Sequence, residues 1–486
     1  LWYTKFNDIK GAKTVMPAML NYELSWDQKP VANTLDFTRK WNDVRYIRKA
    51  GEKKWEKVNL PKFEYATADN FFNSLDLSTK EIPVTGGERP NVWLYIHGPS
   101  HEQALTASRK GDILLPSAEM MAAYEAMYHK NFNNYPSERL NEAWKAKIYP
   151  DHGWGGNEGI MTDNLFQRKY EFALAEAEKI VLEKAHILAS SVKTDETKGR
   201  PVVLFNNLSF DRSVPASFDI QLTQGEAKQL KITDAKGNGV PAQLSHVKYY
   251  DDQSIEKATV HFVATEVPAM GLKTYYLNES NDMAEILQPA SQTIENKFYR
   301  IELGKGGIQQ IFDKELNTPL LNTDKFMGGE IITMHSYGNG AGEFDAVQQP
   351  DMEGFDKTSL HAKGWELVEN GPVFTSYKMR TPIRHAIVEQ TLRIYHQTKR
   401  IDMDVDLLNW EGVMFRDFRL MLPLALGKAE VSYEVPYDSL TVGKDEMPGA
   451  AGERYYVENK LQHPRGIGNW ISAANENVAV TLSSSV

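Results

Sequence analysis

The densest chemistry in this chain sits at residues 151–159, Asp151-His152-Gly153-Trp154-Gly155-Gly156-Asn157-Glu158-Gly159. Its glycines let backbone come close to a ligand. His152 offers a metal ligand, Trp154 a face suited to the C–H surface of a sugar, and Asn157 and Glu158 hydrogen-bonding partners. An ordinary helix–helix turn with an exposed histidine accounts for the same residues equally well. A second candidate is His97-Gly98-Pro99-Ser100-His101-Glu102. Two histidines four apart could share a metal with a carboxylate on a helix, but Gly98-Pro99 favours a strand-to-helix junction instead. Asp402, Asp404 and Asp406 alternate along a strand at roughly 6.5–7 Å spacing, too far apart to share one calcium ion, and read as a solvated face. Gly304-Lys305-Gly306-Gly307 and Gly338-Asn339-Gly340-Ala341-Gly342 lack the Gly-Lys-Ser/Thr of a phosphate loop and read as turns. There is no Gly-x-Ser-x-Gly elbow and no cysteine. Serine-hydrolase chemistry therefore has no support, and thiolate catalysis, disulfides and cysteine-held zinc are excluded.

These residues are positioned by a helical region. Pro150 stops a helix whose apolar positions are Leu140, Trp144 and Ile148. Before it, Met120, Tyr124 and Met127 step by four and three. After it, a long helix over about 160–192 carries a stripe at Phe166, Tyr170, Leu174, Ala177, Val181, Ala185 and Leu188. Three such helices predict a bundle. Beyond the charged linker 193–200 the period changes to two. Val202–Phe205, Phe218–Leu222 and Thr259–Val263 read as strands, and Asp234 to Gly239 as a hairpin turn. After a polar stretch, Asn278 to Gln292, alternation resumes at Tyr299, Ile301 and Leu303 and again at Ile401, Met403, Val405 and Leu407. The last ~195 residues thus read as an antiparallel β-sandwich ending in the strand Val478–Leu482. The first ~80 residues are mixed, with a helix over Lys29–Val44, a strand at Lys62–Thr67 and a short helix at Ala68–Leu75. That is too little for a closed sheet, so this piece is expected to complete a domain begun elsewhere. The first residue is Leu and no signal peptide is visible, so the chain is expected to start inside something larger or after processing, and the final strand to be cut short.

At 486 residues, two to four domains are expected. The formal charge is −10, from 65 acidic and 55 basic residues, and no basic block is present, which argues against a nucleic-acid partner. No apolar run approaches the ~18 residues of a membrane span. Compartment does not follow from the sequence, and association with further copies of the chain stays open.

Several segments, in order, carry a resemblance. Leu94–Arg109 (LYIHGPSHEQALTASR), Tyr149–Asn157 (YPDHGWGGN), Val202–Ser213 (VVLFNNLSFDRS), Ile294–Leu320 (IENKFYRIELGKGGIQQIFDKELNTPL) and Arg400–Glu411 (RIDMDVDLLNWE) together resemble the C-terminal two-thirds of a glycoside hydrolase family 38 α-mannosidase. The resemblance implies a multidomain α+β chain. Residues 1–84 would be the C-terminal part of an α/β catalytic barrel, 85–197 a three-helix bundle, 198–285 a small β-sandwich domain, and 286–486 a large, truncated β-sandwich domain. It further implies a zinc-dependent retaining glycosidase acting on mannose-containing glycans. His152 would be one zinc ligand and the rest would come from absent polypeptide, because no His-x-Asp occurs in the chain. His97 and Trp154 would contact substrate. Glu23 would be the acid/base, with Asp27 its competitor. Gly153 stands where the family has an Asp that contacts a sugar hydroxyl, so another α-linked sugar remains open as substrate. The chain alone is expected to be inactive. The alternative from another class is a non-catalytic carbohydrate-binding protein with Trp and Tyr clustered on one sandwich face.

Overall fold

The computed structural model describes residues 33–74, 102–148, 160–280, 291–337, 349–413, 415–435, 437–446 and 467–484. The chain separates into two compact units, Leu1–Gly86 and Gly87–Val486.

In the first unit the helix Asn33–Asn42 packs Phe37 and Trp41 around Phe63, with ring centroids 5.7–6.0 Å apart. Lys62–Thr67, expected as a strand, pairs with no other strand. Asn42 does the work a neighbouring strand would do. Its side chain donates to the Phe63 carbonyl (2.8 Å) and accepts from the Phe63 N–H (2.9 Å). The strands here are Tyr46–Ile47 and Glu56–Lys57, antiparallel and two residues each, and the unit's second described helix is Ala68–Ser74.

The second unit begins with three mutually packed helices, Glu102–Tyr128, Ser137–Lys147 and Ile160–Ser191. All three were expected, but their buried faces are not quite those expected. On the first helix the inward line is Ala104, Ala107, Gly111, Leu115, Ala118 and Ala122, while Met127 is 68% exposed and Tyr124 turns to the ring of Phe205, 4.7 Å away. On the second, Leu140 and Ala143 face inward and Trp144 and Ile148 lie outside. On the third, Phe166, Tyr170, Ala177 and Leu188 are buried as expected, but Ala173, Ile180 and Lys184 take the inward places given to Leu174, Val181 and Ala185. On the first two helices small residues let the backbones approach, whereas on the third Ile180 and Lys184 lie inward in place of smaller neighbours. Lys184 reaches the centre of the seam because it is paired there. Its ammonium donates to Glu125 (2.8 Å) and to the Asn134 carbonyl (3.1 Å), and both side chains are almost fully buried.

Residues 200–280 form two antiparallel sheets over one core. Arg200–Asn206, Gly271–Ser280, Gln229–Asp234 and Gly239–Val240 make one sheet, and Arg212–Gln221, Ile255–Val267 and Ala242–Tyr249 the other. Asp234 closes the expected hairpin by accepting from the N–H groups of Lys236 and Asn238. From 293 on, every described strand pair is antiparallel. The sheet over Thr293–Pro319 and the sheet over Glu366–Leu408 share a core through Ile294, Ile301, Ile311, Tyr377, Met379 and Leu392. Gly304–Gly307 is a turn, as expected. Gly306 has no room for a side chain, since a Cβ there would lie 2.3 Å from the Cα of Ser359. On the strand Ile401–Leu408 only Ile401 and Met403 join the core, whereas Val405 and Leu407 are exposed, because this strand lies at the edge of its sheet. Its aspartates behave as a solvated face, with Asp402 held by Arg400 at 2.6 Å. No described helix is long and apolar enough to cross a membrane.

Removing one partner of a buried ion pair leaves a charge without compensation, at a cost of about 3–5 kcal/mol. Glu125→Ala is therefore expected to lower stability by about that amount, and the double variant Glu125→Leu/Lys184→Met to recover most of it. Urea denaturation of the three proteins, followed by far-UV circular dichroism, checks both expectations.

Candidate functional site

The strand Ile331–Tyr337 is the centre of a four-stranded sheet. It pairs with Arg416–Leu420 over five residues and with the short strands Asp356–Lys357 and Gln349–Pro350. Its start is fixed by Glu330, a fully buried carboxylate that accepts from the N–H groups of Met327 (2.9 Å) and Ser359 (3.3 Å). With side chains alternating along the strand, Thr333 and His335 emerge on one side.

The register sets His335 opposite Arg416. The turn after Gln349–Pro350 then folds back over them. The His335 N–H donates to the Glu353 carbonyl (2.9 Å), and the Asp351 N–H to the His335 carbonyl (3.1 Å). Within that turn the Glu353 N–H donates to the Asp351 carboxylate (2.8 Å), whose other oxygen lies 2.6 Å from His335 Nδ1. Arg416 braces the turn from below. Its Nε donates to the Thr333 hydroxyl (3.0 Å), one Nη to the Glu353 carbonyl (3.3 Å) and the other to the Gly354 carbonyl. Gly354 needs its left-handed conformation here (φ +56°), and an added Cβ would meet Arg416 Nη1 at 3.0 Å.

Charge in this patch is unevenly balanced. The N–H of Glu353 and then His335 hold the Asp351 carboxyl below its usual range. Burial pushes Asp356 up, but His361 (2.7 Å from it) and the N–H groups of Arg384 and Lys357 more than offset this and leave it lowered. Burial and the neighbouring Arg384 lower the Arg416 guanidinium. With Nδ1 tied to Asp351, the His335 imidazole has a set orientation, and the free edge of such a ring can donate to or accept from a hydroxyl.

His335, Asp351 and Glu353 place one ligand atom each within 4.8 Å of one another, a donor set of the kind that holds divalent metals. Each Asp351 oxygen accepts one hydrogen bond and keeps a further lone pair, and His335 Nε2 is left over when Nδ1 is tied to Asp351, while the cationic Arg416 lies beside the cluster. The same groups can donate to and accept from the hydroxyls of a polyhydroxylated ligand.

Glu23, His97, His152 and Trp154, and with them Asp27 and His101, lie outside the described residues. The structure neither joins nor separates them. The cluster at His335 escaped the sequence reading because its members come from three separate segments. The one local signal was Asp351-Met352-Glu353, a carboxylate pair following a glycine-rich stretch.

Residues 294–484, which include this whole sheet, match the family model described as the glycosyl hydrolases family 38 C-terminal domain. That stretch belongs to family 38. Two solved structures share the fold over 86% of this chain. One is an α-mannosidase from Enterococcus faecalis V583 (15% identity, TM-score 0.64), and the other a protein in the glycosyl hydrolase family 38 from Enterococcus faecalis (16%, 0.61). The chain covers 53% and 57% of those structures, so it spans a little over half their length. No curated protein matches it. The matched stretch therefore contains His335 and Arg416 on paired strands and Asp351 and Glu353 on the turn that folds over them.

The Asp351 carboxyl is expected to titrate below the ordinary aspartate value. His335→Ala should move its midpoint part of the way back, since the Glu353 N–H remains. A carboxyl lowered in the folded state contributes stability above its unfolded pKa, and that contribution is lost as pH falls through the lowered folded value. Carboxyl-detected NMR titration of the wild type and His335→Ala measures both midpoints.

Proposed function

We propose that this chain is part of a zinc-dependent retaining α-mannosidase that hydrolyses α-mannosidic bonds in glycans. The observation that carries this reading is the family 38 C-terminal domain over residues 294–484. The shared fold with a solved α-mannosidase over 86% of the chain supports it. In this reading residues 1–84 are the end of a catalytic α/β barrel, residues 85–197 the three-helix bundle and residues 198–486 the β domains.

Glu23 is then the acid that protonates the leaving glycosidic oxygen and afterwards takes the proton of the attacking water, while a carboxylate from outside these residues forms the glycosyl intermediate. Trp154 supplies a stacking face to the sugar ring, and His97 a hydrogen bond to a hydroxyl. His152 would be one ligand of a zinc ion, which would supply Lewis-acid polarisation at the sugar. One imidazole cannot hold zinc alone, so the other ligands come from polypeptide beyond this chain and the 486 residues by themselves are inactive. The His335–Asp351 pair with Glu353 binds hydroxyls of the glycan.

Full-length enzyme is expected to cleave an aryl α-mannoside and to lose turnover on chelation. Glu23→Gln should lower kcat by about 10²–10⁴-fold, and His152→Ala should lower both bound zinc and activity. Steady-state kinetics with metal analysis reads these outcomes. Robust turnover by the isolated chain, or full activity in Glu23→Gln, would contradict the assignment. If a panel of aryl glycosides showed turnover of another α-linked sugar and not of mannoside, the substrate would be reassigned.

A further inference from the structure

The last sheet of the chain carries a feature the glycosidase reading does not use. Its strands are Glu430–Val435, Asp438–Thr441, Trp470–Ala474 and Ala479–Ser483. The register pairs Ser432 with Ser472 and Thr441, and Ser472 with Thr481. Alternation then sorts the two faces. Tyr433, Val435, Leu440 and Ile471 form a small core on one side, while Ser432, Ser472, Thr481 and Trp470 stand on the other.

A solvated outer face would explain the hydroxyls, but two further features point to a ligand. The face is concave, opening into a groove of about 1070 Å³ lined by Ser432, Trp470, Ser472, Asn475, Asn477 and Thr481. That is the size range of ligand sites. In addition, a half-exposed tryptophan stands on this otherwise polar surface and takes part in no ring–ring contact among the described residues.

The chemistry of the lining selects the ligand. Ser472 accepts from Thr481 (3.0 Å), and Ser432 and Thr441 lie 3.3 Å apart, so a row of hydroxyls, each both donor and acceptor, crosses the sheet. Asn475 and Asn477 lie beyond the far end of Trp470's strand, roughly 17 Å from it at β-strand rise. The charged groups nearby balance, since Lys428, Glu430 and Glu476 line the groove and Lys444 pairs with Glu430. An indole face beside a row of hydroxyls, with the nearby charges balanced, matches a neutral oligosaccharide: C–H surface for the ring, hydroxyls for hydroxyls. The strand that carries Trp470 is held at its start. Glu434 accepts from the Asn469 N–H (2.5 Å), and the Gly468 carbonyl accepts from Arg109 of the first long helix (3.0 Å).

We propose that this face is a non-catalytic binding groove for a neutral oligosaccharide, with Trp470 as its stacking platform. It does not depend on the glycosidase assignment. The 486-residue chain, titrated with manno- and cello-hexasaccharides by isothermal calorimetry, should bind at least one of them. Trp470→Ala should weaken that binding by tenfold or more, and Trp470→Phe by only a few-fold. Thr481→Lys, which keeps the tryptophan but fills the groove from an exposed position, should also abolish it, and this variant decides the matter if Trp470→Ala does not fold. Absence of binding at millimolar sugar, or binding unchanged by Thr481→Lys, would overturn the proposal. So would a concentration-dependent dimer in sedimentation velocity that Thr481→Lys dissociates, because the groove would then be filled by polypeptide. Aryl-mannoside turnover by the full-length enzyme should be unaffected by Thr481→Lys, which separates failure here from failure of the mannosidase reading.

Discussion

The hydrogen-bond ladder between Ile331–Tyr337 and Arg416–Leu420 is the constraint on which the site rests. A central strand must pair its backbone on both sides, and here one side is supplied by a segment more than eighty residues further along the chain. A shift of one residue would turn Thr333 and His335 to the opposite face. In the register formed, Arg416 stands opposite His335 and can reach under the 351–355 turn to its carbonyls, which holds Asp351 against the imidazole. The meeting of these side chains is therefore a product of sheet register rather than of any local motif.

The helical layer obeys a different rule. Its seam mixes alanine and glycine with Leu115, Phe166, Tyr170, Ile180 and Leu188, and the buried Glu125–Lys184 pair is tolerable because Lys184 finds both a carboxylate and a carbonyl. The same layer is stitched to the β domains at discrete points: Ser117 accepts from Asn207, Tyr124 meets Phe205, and Arg109 reaches Gly468. Residues near 468 are tied to residues near 109, so the last sheet is anchored on the helices despite lying at the far end of the chain.

Much of the architecture was legible in the sequence. The change of period from 3.6 to two near residue 200 marks where helices give way to strands, because each period must put its apolar residues on one buried side. The motifs of residues 294–320 and 400–411 led to family 38, and the C-terminal domain match confirms that part of the resemblance. The helix faces were legible only in outline. Reading large apolar residues as the inward line overlooked that close-packed helices prefer small ones, so Met127, Trp144 and Ile148 were placed inside when they lie outside.

By itself, then, the amino-acid sequence determined which stretches become helix or strand, the absence of cysteine chemistry, and the family of the C-terminal half, because these depend on local periodicity and on residue types in order. The tertiary structure alone decided that His335, Asp351, Glu353 and Arg416 meet, and that Trp470 stands over a row of hydroxyls. Those groupings depend on the pairing of strands far apart in the chain, whose register is set by core packing and backbone hydrogen bonding across the whole sheet rather than by any neighbour in sequence.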